Sequence, residues 1–134
     1  MNNENIKYCI ELMKDAHNLN MEYWQDPIEF TGICKSIDEL HKCGNTACFA
    51  GYVAISEKFN NDGGRPSANG SPLYYKDVEY YVLDDAIAEW LDIPRSLACS
   101  LTLYSEGFYP VPFSQVKPKH VIEKLQMILK GELQ

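Results

Sequence analysis

Four side chains of metal-binding or nucleophilic type fall within fifteen residues: Cys34, His41, Cys43 and Cys48. Zinc takes cysteine and histidine, but its structural sites draw on tight pairs such as C-x2-C or H-x3-5-H. Here the intervening residues number six, one and four. That spacing supplies no knuckle, so no metal and no cofactor are expected. The cysteines read instead as small buried hydrophobes.

The same string suggests an activated thiol. Cys48 falls in the first turn of a predicted helix, where free N–H groups and the macrodipole lower a thiol pKa. Cys43-Gly-Asn-Thr-Ala-Cys48-Phe is two residues longer than the C-G-[SA]-C-[WY] signature of papain-like proteases. A base is also needed. His41 lies only seven residues upstream, and His120 sits in a predicted helix start rather than on a strand. These polar residues do not converge on a catalytic constellation. Asp85–Tyr104 has the rhythm of a helix-turn-helix, yet Arg95 stands among Asp84, Asp85, Glu89 and Asp92, the wrong charge for phosphates. The turn Asn61-Asp-Gly-Gly-Arg-Pro66 lacks the lysine and spacing of a phosphate loop.

Aromatic residues offer a different chemistry. Tyr74, Tyr75, Tyr80 and Tyr81 fall within eight residues beside a stretch rich in Gly, Asn and Ser. Tyrosine is enriched in interface hot spots, so this margin is a candidate contact surface, as are Phe108 and Tyr109 in SEGFYPVPF. A half-buried strand or helix over 74–82 would use the same residues.

The elements that must position these groups follow from periodicity. The chain has 134 residues, 46% hydrophobic and 23% charged, which suits one soluble domain. No apolar run is long enough to span a membrane, and 1–15 does not resemble a signal peptide. Five dispersed cysteines fit reduced thiols in a cytoplasm. A net charge of −7 argues against a nucleic-acid partner and for a basic protein surface.

Ile6, Cys9, Ile10, Met13 and Ala16 predict a first helix, closed by His17 and Asn18, with Met21 and Trp24 tucked inward. Ser36-Ile-Asp-Glu39 matches a capping box. A central helix is expected from a cap at Asn45 or Thr46 through Cys48, Tyr52 and Ile55 to Phe59. Ala47, Ala50, Gly51 and Ala54 form a second face of small residues, which predicts burial on several sides. Residues 60–77 read as one long loop. A third helix carries Leu83, Ala86, Ile87, Trp90 and Leu91 and breaks at Asp92-Ile-Pro94. Leu97, Ala98, Leu101 and Tyr104 mark a fourth, and a last helix runs from Pro118 to a cap at Gly131. The predicted fold is mainly α: a single-domain helical bundle of four to five helices, one long loop and room for a minor β-hairpin.

Motif order adds a resemblance. Cys43-Gly44-Asn45-Thr46-Ala47-Cys48-Phe49-Ala50-Gly51 resembles, with one inserted residue, the C-G-T-x-x-C-x-x-G core of a family of short bacterial and phage-borne proteins. Met21-Glu-Tyr-Trp24, Ala88-Glu-Trp-Leu91-Asp-Ile93-Pro94, Phe108-Tyr-Pro110 and the closing helix fit the family's order. The resemblance implies a helical fold and a mobile-element context, and brings no activity with it. In that setting Cys43, Gly44, Asn45, Thr46, Cys48 and Gly51 form a structural motif. The expected function is a small cytoplasmic protein-interaction module, a phage or prophage factor that binds and blocks a host protein such as a defence component. The alternative is a thiol-dependent hydrolase using Cys48 with His41 or His120.

Overall fold

Asn2 starts the first helix, α1 (Asn3–Lys14), its side-chain oxygen accepting the Asn5 N–H at 3.0 Å. The predicted stripe of Ile6, Cys9, Ile10, Met13 and Ala16 is buried throughout. The computed structural model describes residues 1–22, 34–43, 45–66, 74–76, 78–79, 84–103 and 105–133, with backbone alone for Cys43, Tyr74, Val78 and Glu79. Trp24, Gly44, Tyr80, Tyr81, Leu83 and Tyr104 lie outside the described residues. Six further helices follow among them: α2 (Ile37–Cys43), α3 (Phe49–Ala54), α4 (Glu57–Asn61), α5 (Asp85–Leu91), α6 (Arg95–Thr102) and α7 (Pro118–Leu129). Strands β1 (Gly64–Arg65), β2 (Tyr74–Tyr75) and β3 (Val78–Glu79) pair antiparallel in that order. The chain is mainly helical, and none of its described helices is long and apolar enough to cross a membrane.

The first and last helices, α1 and α7, pack together, with Val121, Leu125 and Ile128 turned inward from α7. Helix α5 folds back against α6, and both it and α3 also meet α1. Asp92 ends α5 in a left-handed conformation (φ 53°), and Pro94 then precedes α6. The amide of Asn5 ties the start of α1 to the end of α5 by donating to the Trp90 carbonyl at 2.8 Å. Gly131, just past the end of α7, takes a positive φ.

The middle of the chain departs from the predicted pattern in three ways. The central helix is two helices, because Ser56 turns the chain: its hydroxyl donates to the Val53 carbonyl at 2.7 Å, and α4 begins at Glu57. The cap of α3 is Cys48 rather than Asn45 or Thr46, with its thiol accepting the Gly51 N–H at 3.4 Å. Asn45 and Thr46 belong to an extended piece instead, in which Ala47 makes a parallel bridge with Leu19. The expected loop 60–77 also begins later. Asn60 and Asn61 close α4, and Gly64-Arg65 pairs with Tyr75-Tyr74. These splits raise the helix number to seven among the described residues.

Burial of the central segment follows the prediction. All six residues of α3 are buried, as are Ala47, Cys48, Ile55 and Phe59. An aromatic wall stands beside it. The Phe59 ring lies edge-on to Trp90 at 5.2 Å and stacks on Tyr75 at 5.9 Å. Tyr8 meets Trp90 edge-on at 6.4 Å. The Trp90 indole N–H donates to Asp62 Oδ2 at 2.9 Å, and Lys58 Nζ pairs with the same oxygen at 3.3 Å. Gly64 is required where β1 crosses Phe59, since a Cβ there would overlap the ring.

Two predictions follow from this wall. Gly64→Ala forces Phe59 out of its place between Trp90 and Tyr75, an overpacking that costs about 1–3 kcal/mol. Its melting midpoint should fall by at least about 3 °C, and an unchanged melt would show that β1 does not press on that ring. Asp62 is held below the ordinary aspartate range, chiefly by the Trp90 N–H and secondarily by Lys58, against an opposing effect of burial. Its contribution is therefore complete above about pH 4, the unfolded value, and fades as the pH falls through the lower folded value. Urea midpoints of wild type relative to Asp62→Asn should hold constant above pH 5 and drop between pH 4 and 2. Parallel pH profiles for the two proteins would rule out the linkage.

Candidate functional site

Ser36 and Ser56 each turn the chain into a helix, and the space between those two helix starts is an open groove of about 520 Å³. Its lining comes from α1 (Tyr8), the start of α2 (Lys35, Ser36, Ile37, Asp38), the end of α3 (Ile55) and α4 (Glu57, Asn60, Asn61). Local hydrogen bonds hold each wall. Ser36 Oγ accepts the Glu39 N–H at 3.2 Å, while Glu39 Oε2 accepts the Lys35 N–H at 2.9 Å. This completes the expected capping box, with its return bond shifted to the residue before the cap. The Lys58 N–H donates to the Tyr8 hydroxyl at 3.3 Å, fastening α4 to α1. Asn60 donates through Nδ2 to the carbonyls of Ala54 and Gly64, tying α4 to the end of α3 and to β1. Seven of the nine described lining residues are charged or carry an amide or hydroxyl group, over an apolar floor of Ile37 and Ile55. Such a lining recognises a polar chain more readily than an apolar small molecule.

Sequence pattern marked Ser36 as a helix start and Ile55 as core, and none of the groove residues as a binding residue. Ser56-Glu57 was the available signal, a cap residue followed by a carboxylate in the first turn. It was masked by the apolar spacing that runs unbroken through Ile55 and Phe59.

The sequence-derived candidates fall elsewhere. Tyr75 is 7% exposed and stacks on Phe59, so its ring belongs to the core. Tyr109 is 8% exposed and its hydroxyl donates to the Leu101 carbonyl at 2.9 Å. Phe108 is half-buried, with Lys124 Nζ 5.0 Å above its ring. It meets Tyr109 edge-on at 5.0 Å. Tyr80, Tyr81 and Gly44 lie outside the described residues, and only the backbones of Tyr74 and Cys43 lie within them. A smaller cavity of about 180 Å³ adjoins this region, between Ser105, Gly107, Tyr109, Val111, Pro112 and Phe113.

The thiol and imidazole candidates are each engaged in a separate contact of the fold. Cys34 is buried, and its sulfur accepts from the Asn45 amide at 3.3 Å. Cys48 is 1% exposed, and burial pushes its thiol up to about 11, against smaller opposing effects of backbone N–H groups. His120 Nδ1 accepts the Lys117 N–H at 2.9 Å and so caps α7. His41 Nε2 lies 3.2 Å from the hydroxyl of Tyr52, which also accepts the Asn18 N–H at 3.0 Å. Burial pushes the Tyr52 hydroxyl up to about 12, so it stays protonated. Among the described residues no three of His, Cys, Asp and Glu gather as a metal-binding group.

Compared with protein families, curated proteins and solved structures, the chain shows no match to any.

A thiol at about 11 carries roughly 300-fold less thiolate near neutral pH than an ordinary cysteine. Iodoacetamide at pH 7.5 should therefore alkylate Cys48 at least about a hundredfold more slowly in the folded chain than in urea. Peptide mapping by mass spectrometry reads this directly. Equal rates would place the thiol in the open and undo its role as the α3 cap.

Proposed function

We propose that the chain is a protein-interaction module that holds a basic, extended segment of a partner protein in the groove between α1, α2 and α4. The groove itself carries this reading: a polar-walled channel, floored by Ile37 and Ile55 and held by bonds from three helices. Exposed Asp38 and Glu57 flank it from the first turns of α2 and α4. An overall charge of −7 favours encounter with a basic surface. The resemblance to phage-borne proteins makes that partner a host protein, such as a defence component, and the role one of blocking it in the host cytoplasm. Hydrolysis through Cys48 is the weaker reading, because the buried thiol is held protonated.

The test is capture of a partner from host lysate, followed by titration of that purified partner against wild type and an Asp38→Asn, Glu57→Gln double variant. Both side chains are exposed, and losing their helix-start interactions costs about 0.3–1 kcal/mol each, so the fold persists. The double variant should bind at least about tenfold more weakly, with a shallower salt dependence. Unchanged affinity would move the contact surface away from the groove. A partner that binds without any salt dependence would remove the basic segment from the proposal.

A further inference from the structure

Away from the groove, two of the chain's three histidines meet at the end of α2. His17 is exposed in the turn after α1, and His41 is half-buried in the last turn of α2. Their ring centroids lie 5.0 Å apart, with the planes tilted by 50°. We propose that His17 and His41 form an open, exchangeable site for a divalent transition-metal ion of the zinc class, with water in the remaining positions.

Geometry is the first support. A Zn–N bond of about 2.0–2.1 Å puts an imidazole centroid about 3.2 Å from the metal, so two rings on a tetrahedral ion have centroids about 5.2 Å apart. The observed centroid separation of 5.0 Å is close to that value. The tilt is compatible with two lone pairs converging on one point, where parallel stacked rings would present faces.

Orientation is the second. The His41 ring is held by its contact with the Tyr52 hydroxyl, 3.2 Å from Nε2, and Tyr52 is fully buried and immobile in the core. Metal-bound histidine commonly donates its other ring N–H to a fixed acceptor, which sets the tautomer and strengthens the metal-binding nitrogen. Binding selects the tautomer with Nε2–H donating to the Tyr52 oxygen, leaving the Nδ1 lone pair for the ion. The turn that carries His17 is held through its neighbour Asn18. The Asn18 N–H donates to the same hydroxyl, and the Asn18 amide donates to the Leu40 carbonyl, both at 3.0 Å. One imidazole and the turn that carries the other thus meet one buried oxygen, and the exposure of His17 supplies the way in.

Imidazole suits zinc, copper, nickel and cobalt, and rejects calcium and magnesium, which take oxygen ligands. Two protein ligands make this a site of modest affinity that a partner's side chain can complete, unlike a closed structural zinc knuckle.

Calorimetric titration of the untagged, reduced protein with zinc chloride and, separately, nickel chloride tests the assignment. One ion per chain should bind wild type. His17→Ala, on an exposed turn where folding is safe, should weaken binding at least about tenfold, as should His41→Ala, while His120→Ala leaves it unchanged. Imidazole nitrogen NMR should show Nδ1 of His41 shifting on binding, with Nε2 protonated. Absence of binding at millimolar ion overturns the site. So does binding that survives His17→Ala, which would place the ion on cysteines or elsewhere.

Discussion

A helix buried on every side has nowhere outside the protein to send its unpaired backbone groups, and this constraint on α3 organises the chain around it. The first N–H and last C=O groups of any helix lack partners within it, and an unpaired buried group costs about 1–3 kcal/mol. Here those ends are met by side chains spaced four apart. The Cys48 sulfur accepts the Gly51 N–H, Ser56 donates to the Val53 carbonyl, and Asn60 donates to the Ala54 carbonyl. Tyr52, the fourth member of that row, sends its hydroxyl outward to receive the Asn18 N–H. Residues of catalytic type are here the fittings that let six buried residues form a helix.

The same constraint makes the places where binding chemistry can occur. Because Ser56 must turn back to cap Val53, the chain leaves the α3 axis and α4 runs off to one side. The space this opens, between Tyr8, the start of α2 and the first turn of α4, is the groove. At the end of α2, the Tyr52 hydroxyl draws the turn at 17–18 and the helix end together, and so sets His17 beside His41. Both sites are by-products of satisfying one helix, built from residues that lie far apart in sequence.

The aromatic wall has a related logic. Trp90 is too large to bury without a partner for its indole N–H, and Asp62 supplies one while pairing with Lys58. Phe59 then fills the space between Trp90 and Tyr75, and Gly64 gives the strand room to pass. Tyrosines that cluster beside a glycine-rich stretch suit an interface and a core equally well on composition. For Tyr75 the contact with Phe59 assigns the ring to the core.

Much was legible from residue order alone. Local periodicity marked the apolar stripes of α1, α5, α6 and α7, and the breaks at Asp92-Ile-Pro94 and Gly131, because those depend on neighbours within one or two turns. The small-residue face correctly announced that 47–56 is buried, since alanine and glycine on one side and large apolar residues on the other leave no polar face. What sequence could not decide was where that buried run bends, which polar atom caps it, and what meets across it. A thiol capping Gly51, a serine turning onto Val53 and a tyrosine answering Asn18 are choices among several local options of similar energy. They are settled only when α1, α2 and α6 close around α3 and exclude water from its ends. The groove and the histidine pair depend on that closure, so their residues share no motif. Spacing along the chain records contacts within a helix, and these sites are made of contacts between helices.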